Sequence, residues 1–340
     1  MVDRVFLHLG LPKTGTSYLQ TIVWPARDRL AADGIVLPGR ERRDHLWASR
    51  VVRGEKLGKA PKAHRTSWKR LRAELASSPG TGLLSHEFFA AASARQAAGV
   101  IEQLAPAEVH LVVTAREPLG LFTASWQESL KNKSTTPMAD YSRSVSHNPR
   151  VIWNWRALDL RLVLRRWATE VPPEHVHVLP LDPMSPRAAL WHTFADLIGV
   201  GDPAAYPLEE SFPNVSMGVA EAETLRRVNA HLGGFGSALD RGVWVRTFLA
   251  DERLVPRGGE RFWPEPEQIQ ECRRRGRKAV RYVERQGYDV RGDLQRLLVP
   301  EDLPTRRVPA SVTEAEVAEV AVELAARLVT DARELRRRGQ

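Results

Sequence analysis

The chain has 340 residues, 43% of them hydrophobic, with a formal net charge of +9 and a single cysteine, Cys272. One cysteine excludes an internal disulfide and a cysteine-held metal cluster, and no run approaches the roughly 18 apolar residues of a membrane span. The basic residues alternate with acidic ones, which favours solvated helix faces over a nucleic-acid-binding surface. With no leader-like segment at its start, the chain is expected to be a cytoplasmic protein built around one α/β domain.

The first notable element is the stretch from Val5 to Gln20, which reads as a strand, a loop and a helix. An apolar run ends at Leu9, a glycine-containing loop spans Gly10 to Gly15, and helical spacing follows. A strand that leads through such a loop into a helix forms an anion site, because the first helical turn has unpaired N–H groups and a partial positive charge.

The loop differs from the nucleoside-triphosphate loop in the position of its lysine. Gly10 and Gly15 keep the expected spacing and Ser17 holds the hydroxyl position, but Thr16 stands where that loop has lysine. The lysine lies instead at the crest of the loop, as Lys13. A crest lysine faces the bridging oxygen of a bound mixed anhydride, and the hydroxyls at 16 and 17 can bind a phosphate without a metal ion.

Residues 10–17 resemble the 5′-phosphosulfate-binding loop of the sulfotransferases that use 3′-phosphoadenosine 5′-phosphosulfate (PAPS). The resemblance implies that the loop holds the 5′-phosphosulfate of PAPS through Lys13, Thr14, Gly15, Thr16 and Ser17. It also gives Lys13 a catalytic role, the stabilisation of charge on the leaving phosphate. No metal is required in this scheme, and the product nucleotide is 3′-phosphoadenosine 5′-phosphate (PAP).

Residues 40–70 have weak periodicity and are expected to cross the surface, where an acceptor-binding insertion is one possibility. His45 lies in this stretch. It is predicted either to sit in an exposed turn or to contact the substrate.

A second strand, Gly82–Leu84, ends in Ser85-His86-Glu87. In an open parallel sheet the carboxyl ends of the strands face the ligand crevice, so Glu87 is a candidate catalytic base and His86 its rival. Sulfotransferases related to those of glycosaminoglycans and tyrosylproteins use a glutamate near a strand end, whereas the cytosolic small-molecule branch uses a histidine. The alternative is that Glu87 is an ordinary acid in the first turn of the next helix.

The run Val109–Ala115 has the β-branched, continuously apolar character of a central parallel strand. It ends in Arg116-Glu117-Pro118, and a helix is predicted to begin at the proline. Arg116 and Ser125 resemble the arginine and serine that bind the 3′-phosphate in sulfotransferases. Two motifs for opposite ends of one cofactor, in the expected order, are more specific than either alone.

Residues 126–156 lack clean periodicity and are predicted to form an acceptor-binding lid or insertion. Gln127, Lys131 and Tyr141 are candidate substrate contacts, although a solvated helix end explains the lysine equally well. A further strand, Val176–Leu181, precedes Asp182, which resembles the magnesium-holding aspartate of nucleotide kinases and NTPases.

Two later segments of the sequence also carry recognisable patterns. Asn214 and Ser216 lie in a loop resembling a segment of actinobacterial-type sulfotransferases, where they either contact the cofactor or cap the following helix. Ser311 to Glu314 has the pattern of a capping box that opens a final helix. Residues 1–300 are therefore predicted to form the sulfotransferase domain, and residues 301–340 a helical extension packed on it.

The resemblance implies a P-loop-like three-layer α/β fold, with a central parallel sheet of about four or five strands and helices on both faces. It further implies transfer of a sulfuryl group from PAPS to a hydroxyl or amine of a small-molecule or glycan acceptor, by a monomer or homodimer. The alternatives are a magnesium-dependent nucleotide kinase or NTPase that uses Ser17 and Asp182, and a basic nucleic-acid-binding module.

Overall fold

The computed structural model describes residues 1–208 and 216–338, and within them six strands form one parallel sheet. The sheet order is β2-β3-β1-β4-β5-β6. The strands are β1 Arg4–His8, β2 Ile35–Val36, β3 Thr81–Ser85, β4 Glu108–Ala115, β5 Val176–Pro180 and β6 Asp289–Val290. The two outermost strands have two residues each, so the longer strands number four.

The connections between the strands are mainly helical. In chain order, the α-helices are α1 Thr16–Val23, α2 Arg27–Ala32, α3 Arg42–Val52, α4 Lys62–Arg65, α5 Ser67–Ser77, α6 Ala94–Leu104, α7 Pro118–Lys131, α8 Trp155–Leu158, α9 Leu160–Trp167, α10 Arg187–Ile198, α11 Val219–His231, α12 Ala238–Asp240, α13 Pro266–Gln286 and α14 Glu314–Arg338. A π-helix covers Arg241–Leu254. Among the described residues, no helix is both long enough and apolar enough to cross a bilayer.

Strand β1 lies at the centre of the sheet, between β3 and β4. Phe6 is in register with Leu83 on one side and His110 on the other. Because all three strands run parallel, their carboxyl ends meet at the same edge of the sheet. The loop after β1, the His86-Glu87 pair after β3 and Arg116 after β4 therefore lie along that edge.

Helices cover both faces of this sheet. On one face, Phe6 and Leu83 pack with Leu19 of α1 and with Trp191 and Phe194 of α10 in a single buried cluster. The other face carries α5: a Cβ built on Gly82 of β3 would lie 2.6 Å from Leu75 Cδ2. The predicted P-loop-like, three-layer α/β class is confirmed.

The stretch 40–70 is largely helical and contains α3, α4 and the start of α5, with many of its residues at the surface. Helix α3 packs against α5 and buries Ala48 and His45. Its weak sequence periodicity reflects polar residues that are buried with specific partners rather than exposed; Asp44, 5% exposed, accepts the main-chain N–H of Arg40 at 2.9 Å.

The chain divides into two compact units. The first consists of Met1–Leu121, Ser144–Phe212 and Cys272–Val299, and contains the whole sheet. The second consists of Phe122–Arg143, Pro213–Glu271 and Pro300–Gln340. The division into residues 1–300 and 301–340 stays a prediction.

In the second unit, α14 packs against α11. Arg227 of α11 donates to Glu314 Oε2 at 2.6 Å, and Arg253 of the π-helix donates through Nε to Asp331 Oδ2 at 2.9 Å. The capping box of α14 is present but lies two residues later than predicted. Thr313 and Glu316 form it: Glu316 Oε2 accepts the N–H of Thr313 at 2.8 Å, and Thr313 Oγ1 accepts that of Glu316 at 3.3 Å.

Candidate functional site

The loop between β1 and α1 is held in a tight, unusual conformation. Gly10, Lys13 and Gly15 have φ angles of 53°, 69° and 84°. Positive φ is ordinary for glycine but costs energy at a lysine, and such residues cluster at functional sites. The main-chain N–H groups of Leu9 and Leu11 donate to Val112 O and Thr114 O of β4, both at 2.9 Å, which anchors the loop to the neighbouring strand.

The hydroxyl of Thr14 faces into this loop and is fully buried. It donates to Leu11 O at 2.6 Å, accepts the N–H of Leu11 at 3.0 Å and lies 2.7 Å from Thr114 Oγ1. The hydroxyl is therefore committed to loop geometry. A contact between Thr14 and a phosphosulfate would come from its main chain.

Replacing Thr14 with valine should destabilise the protein, since the Leu11 carbonyl and the Thr114 hydroxyl would lose a buried partner. We expect the free energy of unfolding to fall by about 1–3 kcal/mol, measured by urea denaturation. The matched control is Ser17→Ala in the same segment, where the side chain is exposed and the change should stay within about 0.5 kcal/mol. Equal effects of the two substitutions would contradict this role.

A buried polar network lies beneath the loop and joins the carboxyl ends of three strands. His8 is fully buried; its Nδ1 is 2.9 Å from Ser85 Oγ and its Nε2 is 3.3 Å from Thr114 Oγ1. Gln20 of α1 donates to Ser85 O at 2.9 Å. Burial lowers the pKa of His8 to about 3, so the ring is neutral. Sequence reasoning missed this network, although polar residues inside apolar strands were its signal.

Two residues beside Gly10 each have a buried polar atom without a hydrogen-bond partner among the described residues. A Cβ built at this glycine would lie 2.4 Å from Thr16 Oγ1 and 3.2 Å from Glu87 Cβ, so the three residues are in close contact. Thr16 Oγ1 and Glu87 Oε2 are both buried, and neither has a hydrogen-bond partner among the described residues. Buried polar atoms rarely lack partners in folded proteins, and such atoms often mark a place where a ligand or water binds. The donor hydroxyl and acceptor carboxylate suit a polar ligand at this edge.

His86 and Glu87 play different parts in the turn after β3. His86 Nδ1 accepts the N–H of Phe88 at 3.1 Å and caps the 3₁₀ turn Glu87–Ala91. The same atom lies 3.6 Å from Glu87 Oε2; since it already accepts a hydrogen bond, it offers no proton to the carboxylate. Desolvation lowers the pKa of His86, although the Glu87 carboxylate opposes this. Glu87 lies in the first turn of this 3₁₀ helix, which agrees with the alternative of an ordinary first-turn acid, and His86 supplies the cap.

His45 is not exposed. Its Nε2 is 2.8 Å from Pro38 O and its Nδ1 accepts the N–H of Ser85 at 3.1 Å, so both ring nitrogens are engaged. Burial lowers the pKa of His45 to about 4, which leaves the ring neutral. These contacts tie α3 to β3, and we therefore leave His45 out of the functional proposal.

Arg116 leaves β4 at the same edge of the sheet and remains partly accessible, with 36% of its side chain exposed. Its Nη2 lies 3.6 Å from Glu117 Oε1, while the Glu117 carboxylate accepts the N–H of Gly120 at 2.8 and 2.9 Å and so caps α7. Burial raises the pKa of Glu117, and the Arg116 charge opposes that rise. A Cβ at Gly120 would overlap Arg116 Nη2 and Glu117 Oε1, so a larger residue there would require the ends of these two side chains to move.

A small cavity connects this arginine with the loop. Leu11 of the loop and Arg116 both line it, together with Arg275 of α13. Arg275 donates to Asp159 Oδ2 at 2.5 Å, which holds its guanidinium in place. Sequence reasoning did not single out Arg275, because a residue in an arginine-rich helix carries no local signal.

Four predicted residues of the second unit contact other residues of that unit. Ser125 Oγ lies 2.5 Å from Tyr141 OH, both side chains are buried, and burial raises the pKa of Tyr141. Gln127 Oε1 accepts the N–H of Met217 at 3.0 Å, and Lys131 Nζ donates to Asp251 Oδ1 at 2.6 Å.

Of the two predicted loop residues before α11, Asn214 and Ser216, the structure describes only the second. Ser216 is exposed. Asn214 lies outside the described residues.

Asp182 is placed poorly for the magnesium role. It follows β5, which β4 separates from β1 in the sheet. Its Oδ1 accepts the N–H of Met184 at 2.9 Å, and its Oδ2 lies 3.2 Å from both the Ser185 hydroxyl and Arg296 Nη2. The carboxylate closes a turn, and this arrangement does not favour the kinase alternative.

Comparisons with known proteins leave the family unassigned. No protein-family model matches the sequence, and no curated protein matches it. One solved structure, a crystal structure of a sulfotransferase from Alicyclobacillus acidocaldarius, is 15% identical with a TM-score of 0.39, covering 62% of this chain and 86% of the other. Similarity at this level assigns neither cofactor nor activity to the chain.

Proposed function

We propose that the protein transfers a sulfuryl group from PAPS to a hydroxyl or amine of an acceptor. The observation that carries the proposal is the pair of unpaired buried atoms around Gly10, Thr16 Oγ1 and Glu87 Oε2. One is a donor in the first turn of α1, directly after the loop, and the other is a proton acceptor in the turn that follows the adjacent strand β3. In sulfuryl transfer the hydroxyl would bind the phosphosulfate and the carboxylate would take the acceptor proton.

The loop supplies the binding site for the 5′-phosphosulfate. Gly15 precedes α1, whose first-turn N–H groups and positive dipole end favour an anion. The Thr16 hydroxyl then gains the partner that it lacks, and exposed Ser17 adds a second hydroxyl at the same helix terminus. Lys13 at the loop crest stabilises the negative charge that grows on the leaving phosphate.

Arg116 is the proposed partner of the 3′-phosphate. A guanidinium can bind phosphate with two parallel hydrogen bonds, and Gly120 keeps the space that this side chain occupies. The sequence resemblance assigns Ser125 to the same phosphate. Because its hydroxyl bonds to Tyr141 in this structure, that role requires the serine to share or exchange the contact.

Glu87 is the proposed general base. In the transfer, the acceptor oxygen or nitrogen forms a bond to sulfur while the bond from sulfur to the bridging phosphate oxygen breaks. The acceptor proton passes to the Glu87 carboxylate, and PAP leaves with the bond's electron pair. The protein contributes chiefly by aligning the groups and stabilising charge, as in phosphoryl transfer.

The test is a transfer assay with PAPS labelled in its sulfuryl group and fractionated extract of the source cell, with chelator present. We expect the label to move to an acceptor and PAP to form, whereas ATP with magnesium should transfer no phosphoryl group. Phosphoryl transfer from ATP that needs magnesium, with no label transferred from PAPS, would replace this proposal by the kinase alternative. Binding to nucleic acid with steep salt dependence and no affinity for PAPS would favour the binding module.

A further inference from the structure

A second cluster of ionisable side chains lies at the opposite edge of the sheet, where β4 and β5 begin. Glu108 Oε1 is 2.6 Å from His110 Nε2 and 3.4 Å from His175 Nε2. The ligand atoms of these three side chains all lie within 4.8 Å of one another. The cluster plays no part in the proposed sulfuryl transfer.

The parallel register explains why these residues meet. Glu108 is the first residue of β4, and His110 lies two positions further along, on the same face of the strand. His175 ends the 3₁₀ turn that leads directly into β5. The rings of His110 and His175 stack, with centroids 4.3 Å apart, and both present Nε2 to the same glutamate oxygen.

Behind His110 lies a chain of hydrogen-bonding groups. His110 Nδ1 is 2.9 Å from His177 Nε2, and His177 Nδ1 is 2.7 Å from Asp289 Oδ2. Arg291 Nε donates to the same aspartate oxygen at 2.7 Å, which fixes the far end. The order is therefore glutamate, histidine, histidine, aspartate.

The hydrogen-bonded series from Glu108 to Asp289 has one N–H donor too few when both rings are neutral. Ionised carboxylates only accept, so the bonds to Glu108 and Asp289 each use a ring N–H, and the bond between the rings uses a third. Two neutral imidazoles carry two N–H groups. Protonation of one ring would supply the third N–H, and a metal ion on His110 Nε2 removes the need for it: Nδ1–H of His110 then donates to His177, and Nδ1–H of His177 donates to Asp289.

We propose that Glu108, His110 and His175 form a binding site for a divalent transition-metal ion such as Zn²⁺, with His177 and Asp289 orienting the His110 ligand. Two imidazole nitrogens and a carboxylate are a donor set that zinc binds, and a carboxylate behind a ligating histidine is the usual second layer of such a site. At Zn–N distances of about 2.0–2.1 Å, the ligand atoms of a tetrahedral ion are about 3.3 Å apart. Glu108, with 51% of its side chain exposed, and His175, with 22%, have room for this adjustment.

The site is separate from the loop that binds the phosphosulfate. Six residue steps along β4 separate His110 from Arg116, which corresponds to roughly 20 Å at about 3.3 Å per residue. An ion here joins the start of β4 to the turn before β5. Its role is to stabilise the fold, and it does not depend on the proposed transferase activity.

The first experiment is titration of the chelator-stripped, full-length protein with Zn²⁺ by calorimetry. Wild type should bind one equivalent. His175→Ala should lower the affinity at least about 10-fold, and so should Glu108→Gln, an exposed position where the variant is expected to fold. The matched control is His192→Ala, an exposed histidine of α10, which should bind as wild type does. Absence of Zn²⁺ binding by wild type, or equal affinity in all variants, would overturn the proposal.

The second readout separates binding at this site from a generally weakened fold. Zn²⁺ should raise the melting temperature of wild type and of His192→Ala but not that of His175→Ala, since a ligand bound only by the native state stabilises it. Asp289→Asn should weaken Zn²⁺ binding about 10- to 100-fold while keeping the stoichiometry, as expected of a residue that orients a ligand. An equal thermal shift in wild type and His175→Ala would show that the ion binds elsewhere.

Discussion

Replacement of Glu87 by glutamine should lower turnover by about 10²–10⁴-fold, because the amide keeps the shape of the side chain but cannot take the acceptor proton. Affinity for PAP should stay within about twofold of wild type, since the carboxylate is assigned to the acceptor and not to the nucleotide. Turnover is measured as PAP released from PAPS in the presence of the acceptor fraction, and affinity by calorimetry. The unpaired Oε2 atom of Glu87 motivates this expectation.

Two control variants make the result specific. Glu102→Gln changes an exposed glutamate of α6 and should leave turnover unchanged. His86→Ala removes the cap of the turn that carries Glu87, so it should reduce stability more than it reduces turnover. If Glu87→Gln remains fully active while His86→Ala is inactive and folded, His86 is the base and our assignment is wrong.

We expect the second large loss of turnover when Lys13 is replaced by alanine. The ammonium group is assigned to the charge that develops on the bridging oxygen, and removal of one such group typically costs about 10²–10³-fold in turnover. Because this charge grows mainly in the transition state, affinity for PAP should fall much less than turnover does. Lys62→Ala, at an exposed lysine of α4, is the matched control and should behave as wild type.

The relative losses of turnover and of PAP affinity in Lys13→Ala decide the role of Lys13. A loss confined to PAP affinity, with the maximal rate unchanged, would make Lys13 a ground-state contact. Unchanged rate and affinity would remove it from the site altogether. The positive φ of 69° at this lysine is the local reason to expect that its position at the loop crest matters.

The sequence predicted the features of the fold that depend on local pattern and on parallel-sheet rules. The strand, loop and helix of residues 5–20 are all present, as is the long central strand that ends before Arg116. Once a parallel sheet is expected, adjacent strands place Glu87 and the loop on one edge without further information. That is why the main elements of the candidate site could be predicted.

Other features depend on contacts between distant residues and had no local signal. His45 is buried because Pro38 O and the N–H of Ser85 take both its ring nitrogens, and the second of these contacts spans 40 residues. The Thr14 hydroxyl lies 2.7 Å from Thr114 Oγ1, a residue 100 positions away in the sequence. The capping box of α14 was misplaced by two residues because two overlapping sequences fit the same pattern.

Gly120 is a further position whose role the sequence pattern does not predict. In sequence it is a glycine inside a predicted helix, where it is unfavourable by about 1 kcal/mol relative to alanine. In the structure, a Cβ at this position would clash with both Arg116 and Glu117. The reason for a glycine at this position becomes apparent only once the positions of the Arg116 and Glu117 side chains are known.

Calorimetric titration of wild type and Arg116→Ala with PAP, in the presence of chelator, tests the central claim most directly. We predict that wild type binds PAP without metal and that Arg116→Ala binds it about 10- to 100-fold more weakly, because a charge-assisted contact to the 3′-phosphate is lost. Arg95→Ala, at an exposed arginine of α6, should bind as wild type does. No binding by wild type, or equal affinity of wild type and Arg116→Ala, would contradict the assignment of this edge of the sheet as a PAPS site.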